Sequence, residues 1–128
     1  MKTKIYYHDT DCGGVVYYGR YLEFLEEART EYFNEHGLQI KDLVERGINF
    51  VVSHVELKYK YPARYADILE VNASVKSFTK TSLEFLQEAV NQEHKLIVGG
   101  TVRLVCVDKN LRPQALPEDI KDKLKLDG

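Results

Sequence analysis

The segment over 8–22 holds the residue types with the clearest chemistry in this chain. Two carboxylates, Asp9 and Asp11, stand beside the glycine pair Gly13 and Gly14. We expect a helix to begin just beyond them, and a helix start presents unpaired backbone N–H groups and a partial positive charge. Glycine lets a reacting group approach the backbone closely. A carboxylate beside such donors is suited to attack a carbonyl carbon and to stabilise the oxyanion that results.

The two carboxylates of this loop receive different interpretations. From the residues alone, a turn or helix-entry role for Asp11 is the more common one, because loop aspartates are frequent at such positions, and a reacting role stays open. We interpret Asp9 as a residue that stabilises the loop. His8, Asp9 and Asp11 lie too close together in one loop to indicate a metal site, so no metal is expected. Cys12 is interpreted as a bystander and not as a nucleophile.

Hydrophobic periodicity predicts the elements that position this loop. Apolar residues at helical spacing predict a long helix over 18–36, with Gly37 just after its end. Alternation of apolar and polar residues predicts strands in the second half of the chain. The predicted elements are a strand over 4–8, a loop over 9–14, a second helix over 41–46, strands over 55–61, 69–76, 83–90 and 96–107, and a C-terminal helix opened by Pro117.

The order of these elements predicts an α+β domain. Neighbouring strands joined by short loops pair antiparallel, so we expect the four long strands in meander order. One apolar helix stripe must be buried against one face of the sheet, which therefore curls round the central helix. The stripe consists of Tyr21, Leu22, Leu25, Ala28, Tyr32 and Phe33. We expect a single domain over residues 1–128, in which the strand over 96–107 needs a partner for its edge.

Composition and charge exclude several classes of function. The chain has 18 basic and 20 acidic residues and a net charge of −2, so it carries no strong field for nucleic acid. No apolar stretch approaches the roughly 20 residues of a membrane span, and no apolar signal region follows the first residues. We therefore expect a cytoplasmic protein. Cys12 and Cys106 show no zinc spacing and are expected to be free thiols.

The residues around Asp11 resemble the signature of a known family. The motif is similar to that of the YbgC-like acyl-CoA thioesterases, which are related to the 4-hydroxybenzoyl-CoA thioesterases. The resemblance continues through the segments over 62–67, 105–108 and 113–117 and covers nearly the whole chain. It implies a hotdog fold, with an antiparallel curved sheet wrapped around a long central helix. The motif reads Asp9-Thr10-Asp11-x-Gly13-Gly14-Val15-Val16-Tyr17, then Tyr21-Leu22 and Glu26-x-Ala28-Arg29-Thr30-Glu31.

The resemblance also implies a reaction and roles for three residues. The reaction is hydrolysis of an acyl-CoA thioester, with Asp11 as nucleophile or general base. The backbone N–H of Tyr18 would point at the thioester oxygen, and Gly14 would allow close approach. Many YbgC-like members carry histidine at the position of Tyr18, whereas the hydroxybenzoyl enzymes have tyrosine. This difference affects the acyl pocket and leaves the choice between an aromatic and a short aliphatic acyl group open.

Substrate contacts and partners are expected from the same resemblance. Tyr17 is a candidate for the pocket wall, together with Tyr7, Tyr18 and Phe50. Arg64 and Lys80 are candidates for the coenzyme A phosphates, because cations at a pocket mouth bind phosphate. No cofactor is implied, since coenzyme A is part of the substrate, and the acyl carrier is either coenzyme A or acyl carrier protein. The pocket of this fold lies between subunits, so we expect a homodimer or a homotetramer built from two dimers.

Two alternatives to hydrolysis remain open at this stage. The first is a non-catalytic hotdog domain that binds or senses acyl-CoA, which the complete loop around Asp11 argues against. The second is a hotdog dehydratase or hydratase, which needs a histidine and an acid over the acyl chain. Another group of hotdog thioesterases uses a glutamate of the central helix. We expect Glu23, Glu26 and Glu27 to form a solvated face instead, and Arg29 to be structural or interfacial.

Overall fold

Five antiparallel strands and three α-helices form the part of the chain that the computed structural model describes, residues 1–125. All the predicted helices and long strands are present, and the last strand has the predicted bounds. The elements are β1 (Lys2–Lys4), α1 (Tyr18–Glu35), α2 (Ile40–Glu45), β2 (Asn49–Tyr59), β3 (Ile68–Phe78), β4 (Ser82–Val90), β5 (Leu96–Val107) and α3 (Glu118–Lys125), with one turn of 3-10 helix at Tyr7–Asp9. No helix among these residues is long and apolar enough to cross a membrane.

The order of strands across the sheet is β1-β3-β4-β5-β2. Strands β3, β4 and β5 form the predicted meander, but β2 pairs with β5 and not with β3, so the prediction of a complete meander was wrong. The expectation that β5 lies at an edge was wrong for the same reason. The physical cause is the connection over 60–67, which crosses the start of α1. There the N–H of Ala63 donates to Tyr21 Oη (3.1 Å) and its carbonyl accepts from the N–H of Val16 (2.9 Å).

The first strand is shorter and earlier than predicted. β1 covers only Lys2–Lys4, which pairs with β3, and the chain then turns through Tyr7–Asp9. The turn forms because the carboxylate of Asp9 accepts a hydrogen bond from the N–H of Tyr6 (2.9 Å), which ends the extended conformation. The chain enters the Asp11 loop from this turn.

Helix α1 buries most of the predicted stripe. Leu25 and Ala28 are buried as expected, but Leu22 is exposed, and two residues outside the stripe, Phe24 and Arg29, are buried. Gly37 follows the helix with a φ of 75°, the left-handed conformation that glycine adopts without strain. The helix packs mainly on β3. The middle of the inner face of β2, where Val52 and Val55 lie, is left exposed at the far edge of the sheet.

We call the uncovered strand face and its unpaired backbone the β2 edge, and define it by Val52, Val55 and Tyr59. These residues lie opposite Leu104, Val102 and Val98, which are all buried on the inner face of β5. A register shift between Val52 and His54 keeps Val52 and Val55 on this same face. Their exposures are 51%, 39% and 44% respectively. A long apolar edge strand of this kind is a surface that proteins normally cover.

Candidate active site

The loop that carries Asp11 is a tight turn with a fixed carboxylate. The carbonyl of Asp11 accepts from the N–H of Gly14 (3.0 Å), and its own N–H donates to the carbonyl of Val15 (2.9 Å). Gly14 has a φ of 79°, which requires glycine for an unstrained turn. The N–H of Gly13 donates to Asp11 Oδ1 (2.8 Å). Asp11 Oδ2 makes no hydrogen bond with any residue of the described chain, so this oxygen is available to a ligand.

The N-terminus of α1 carries unpaired donors. Its N-cap, Tyr17, has extended backbone (φ −79°, ψ 155°) and provides no side-chain cap, and no acidic residue lies in the first turn. Within residues 1–125, the N–H groups of Tyr18 and Gly19 have no hydrogen-bond acceptor. Such groups, together with the positive end of the helix dipole, favour a negatively charged oxygen.

Asp11 and the start of α1 open into one cavity of about 350 Å³. Aromatic rings form much of its wall, since Tyr59 packs against both Tyr18 (centroids 5.1 Å apart) and Tyr21 (5.6 Å). The structure thus brings together three of the site residues predicted from sequence, Asp11, Tyr17 and Tyr18. The lining residues are Asp11, Val15, Val16, Tyr17, Tyr18, Tyr21, Tyr59, Lys60, Tyr61 and Pro62.

The other predicted contact residues lie outside this cavity. Arg64 pairs through its backbone with Val15, so it flanks the loop while its side chain is exposed. Lys80 lies in the β3–β4 turn at the opposite end of the sheet, where its carbonyl accepts from the N–H of Leu116 (2.9 Å). Phe50 lines a different cavity, and Tyr7 packs on Tyr65 instead (6.1 Å). Within one chain, therefore, neither Lys80 nor Phe50 reaches Asp11.

Sequence reasoning missed the contribution of β2 to the cavity. Tyr59 and Tyr61 alternate along the predicted strand, but only the crossing connection brings its end to Asp11. Tyr21 was predicted as a core residue and also faces the cavity. Burial raises the pKa of the Tyr21 hydroxyl, so this group stays neutral. It accepts from the N–H of Ala63, which ties α1 to the connection over 60–67.

Asp9 has the stabilising role expected for it. It is only 1% exposed, and its Oδ1 accepts from Arg20 Nε (2.8 Å) while Oδ2 accepts from the N–H of Tyr6 (2.9 Å). Burial alone would raise the pKa of Asp9, but these hydrogen bonds and the charges of Arg20 and His8 outweigh it, so the pKa is lowered. The ion pair ties the turn before the loop to the first turn of α1. The pair thereby fixes the two segments that flank the Asp11 loop, the turn before it and the first turn of α1 after it.

Cys12 and His8, the other candidate nucleophile and metal ligand near the loop, are not part of a second catalytic or metal-binding arrangement within residues 1–125. Cys12 is exposed beside Asp11. His8 stacks on Tyr6 with the ring centroids 5.8 Å apart. Across residues 1–125 no group of three or more His, Cys, Asp or Glu side chains is placed to hold a metal ion.

The fold and the site define the class of protein. A curved antiparallel sheet with one long helix is the hotdog arrangement, and in this chain Asp11 and the first residue of that helix line one cavity. The family model of the thioesterase-like superfamily matches residues 6–124, and this chain belongs to that superfamily. The resemblance to YbgC-like acyl-CoA thioesterases is thereby confirmed, as are the hotdog fold and the class of enzyme.

Individual relatives support this assignment. The acyl-CoA thioester hydrolase YbgC of Escherichia coli O157:H7 is 41% identical over 123 residues, which are 95% of this chain and 92% of that protein. The acyl-CoA thioesterase YbgC of Haemophilus influenzae is 35% identical over 92% of this chain and 88% of its own length. The structure is also similar to that of Slr0204, a 1,4-dihydroxy-2-naphthoyl-CoA thioesterase from Synechocystis. The TM-score is 0.89 at 21% identity, with 98% and 93% of the two chains covered, which supports the fold.

Replacing the buried carboxylate, Asp9→Asn, tests its role in the loop. We expect the free energy of unfolding to fall by about 1–3 kcal/mol, because a charge-assisted hydrogen bond is lost. The pKa of Asp9 in the folded protein lies below its ordinary value of 3.8. The pair therefore contributes fully above that value, and its contribution disappears as the pH falls through the lowered pKa.

Urea unfolding at pH 7 and at pH 3 measures both effects. The difference in the free energy of unfolding between wild type and Asp9→Asn should be smaller at pH 3 than at pH 7. The control is Glu23→Gln, which alters an exposed partner of Arg20 at 3.5 Å and should change stability by about 1 kcal/mol or less. An equal loss of stability in both variants would contradict the role given to Asp9.

Proposed function

We propose that this protein hydrolyses an acyl-CoA thioester to a carboxylic acid and coenzyme A at the Asp11 cavity. One observation supports this proposal above the others. Asp11, which has one free carboxylate oxygen, and Tyr18, whose N–H has no acceptor within the described chain, line the same cavity. A thioester carbonyl needs both groups, one for its carbon and one for its oxygen.

We assign the steps of the proposed reaction to particular atoms. The thioester oxygen binds at the N–H of Tyr18, and Asp11 either attacks the carbonyl carbon or removes a proton from the water that attacks it. Collapse of the tetrahedral intermediate breaks the C–S bond, and the sulfur leaves as a thiolate. If Asp11 attacks, water then hydrolyses the resulting anhydride. A thiolate is a stable anion near neutral pH, so the leaving group needs little assistance.

The phosphates of coenzyme A can be bound by cations of the same chain and by a cation that a second copy supplies. Lys60 lines the cavity itself, and Arg64 flanks the loop. Lys80 lies at the other end of the sheet and meets this cavity only if a second copy supplies it. The proposed contact of Lys80 with substrate therefore depends on how two copies pair.

A second copy paired along the β2 edge would meet this condition. Two β2 strands that pair antiparallel about a twofold axis cover each other's exposed Val55 and unpaired backbone. The Asn49 end of one strand then lies beside the Tyr59 end of the other. The β3–β4 turn with Lys80 shares the Asn49 end, so the partner's Lys80 approaches the Asp11 cavity. We therefore propose a homodimer with shared sites, and a homotetramer built from two such dimers stays a prediction.

The alternatives fit the geometry less well. A domain that only binds acyl-CoA has no use for a carboxylate oxygen left free beside unpaired donors. A dehydratase needs a histidine over the acyl chain, and no histidine among residues 1–125 lines the cavity. The acyl group, and the choice between coenzyme A and acyl carrier protein, stay open. The free thiols of Cys12 and Cys106 suit a reducing compartment, so we propose the cytoplasm.

Asp11→Asn is the direct test of the proposed reaction. The asparagine oxygen can still accept the hydrogen bond from Gly13, so the loop should keep its shape and acyl-CoA should still bind. We expect kcat to fall by about 100- to 10,000-fold, because the amide is neither a nucleophile nor a base at neutral pH. Thiol release from a panel of aliphatic and aromatic acyl-CoAs measures the change.

Two variants control this experiment. Asp42→Asn makes the same change on the exposed surface of α2, and Cys12→Ser removes the thiol beside Asp11. Both should keep wild-type turnover. Hydrolysis by Asp11→Asn at the wild-type rate, or its loss in Cys12→Ser, would overturn the proposed mechanism.

The oxyanion donor is tested by Tyr18→Pro against Tyr18→Ala. Proline is favoured at the first residue of a helix, and the extended backbone of Tyr17 suits a residue that precedes proline. Both variants remove the tyrosine ring, but only proline removes the N–H. We expect Tyr18→Pro to turn over roughly 100- to 1,000-fold more slowly than Tyr18→Ala. Equal rates in these two folded variants would exclude the Tyr18 N–H as the donor.

The proposed dimer is tested by Val55→Asp. A carboxylate on the inner face of the β2 edge would be buried without a partner in the interface, so we expect dissociation to monomers. Multi-angle light scattering measures the mass. Glu56→Gln, which changes an exposed neighbour on the same strand, should leave the mass unaltered. A monomeric wild type would contradict pairing along β2.

A further inference from the structure

A second cavity of about 410 Å³ lies between α1, α2 and the start of β2. It is close to the Asn49 end of β2, whereas the Asp11 cavity is at the Tyr59 end, so the two cavities of one chain are separate. Its walls are mostly apolar, with one buried cation among them. The lining residues are Glu26, Arg29, Thr30, Phe33, Ile40, Leu43, Val44, Ile48, Asn49, Phe50, Val52 and Leu104.

The cation is Arg29, whose residue surface is only 9% exposed. Its Nη1 donates to Gln87 Oε1 (3.0 Å), and the Gln87 amide donates in turn to the carbonyl of Leu25 (3.0 Å). Gln87 is neutral, and no carboxylate of residues 1–125 lies within ion-pair distance of Arg29. A guanidinium stays charged even when burial lowers its pKa, as it does here. Arg29 is thus a buried charge whose partner within the described chain is an amide.

Two donors of Arg29 remain unused. Within the described chain, Nε and Nη2 make no hydrogen bond, yet neither is sealed from solvent. These two nitrogens form one side of the guanidinium fork, the side that binds a carboxylate through two parallel hydrogen bonds. The acidic group whose charge acts on Arg29 is Glu26, which is exposed and lies beyond ion-pair distance.

We propose that this cavity binds a small organic carboxylate with an apolar body. The carboxylate pairs with Nε and Nη2 of Arg29, and the apolar body packs on Phe33, Leu43 and Phe50. The volume lies in the range typical of small-molecule sites, which are largely apolar with a few fixed polar groups. The acid released by thioester hydrolysis belongs to this chemical class, but the proposal does not depend on the reaction at Asp11.

Isothermal titration of the wild-type protein with matched acids and amides tests this proposal. Hexanoate and benzoate are compared with hexanamide and benzamide, which have the same shape and no charge. We expect each acid to bind at least tenfold more tightly than its amide, because only the acid pairs with the guanidinium. Equal affinities of acid and amide, or no binding of either acid at millimolar concentration, would overturn the proposal.

Variants assign the binding to this cavity. Arg29→Met should abolish binding of the acids, and Arg29→Lys should weaken it because lysine cannot donate two parallel hydrogen bonds. Glu26→Gln should strengthen binding about twofold, because it removes a negative charge that repels the carboxylate ligand. This substitution leaves the buried pair of Arg29 and the Gln87 amide undisturbed. Asp11→Asn should bind both acids as the wild type does. Full binding by Arg29→Lys, unchanged binding by Glu26→Gln, or loss of binding in Asp11→Asn would place the acids elsewhere.

Discussion

The pairing of β2 with β5 is the constraint on which the rest of the structure depends. It sends the connection over 60–67 across the start of α1, where Ala63 is hydrogen-bonded to Tyr21 and Val16. This crossing carries the end of β2 to the loop of Asp11 and so closes the cavity. The two strands approach so closely that a Cβ at Gly100 would overlap the carbonyl oxygen of Glu56. A residue without a side chain is therefore required at that point of β5.

The two aspartates of the loop show how environment separates a structural from a reactive carboxylate. Asp9 is buried, and both of its carboxylate oxygens accept hydrogen bonds, one of them from Arg20. Its charge therefore stabilises the contact between the turn and the helix. Asp11, two residues later, is exposed and has one oxygen held by Gly13 and one free. A group that attacks a carbonyl needs a fixed position and an unengaged lone pair. The loop provides the first through Gly13 and leaves the second open.

Local patterns in the sequence predicted the elements well and their arrangement only in part. Helix α1 was predicted almost to its end because its apolar spacing is long and Gly37 marks the stop. The sequence motif also placed Asp11 and Tyr18 at one site. The strand over 4–8 was misplaced because the hydrogen bonds of Asp9 outweigh local strand propensity. The predicted partner strand of β2 was wrong because a short loop predicts that consecutive strands pair with each other. No local pattern reveals a connection that crosses the sheet and depends on contacts with α1.

Hydrophobic periodicity could not predict the burial of Arg29 either. A charged residue on a helix predicts an exposed face, and only the amide of Gln87, far along the chain on β4, shows how this one is accommodated. Helix α1 packs mainly on β3 and contacts β2 near both ends of that strand, where Phe33 stacks on Phe50 and Tyr21 packs on Tyr59. The strand therefore lines a cavity at each of its ends. In the homodimer that we propose, two copies paired along β2 cover the middle of this strand, where Val55 lies, and bring unlike strand ends together. The cavity with Arg29 in one copy would then lie beside the cavity with Asp11 in the other, the site to which we propose that the second copy adds Lys80.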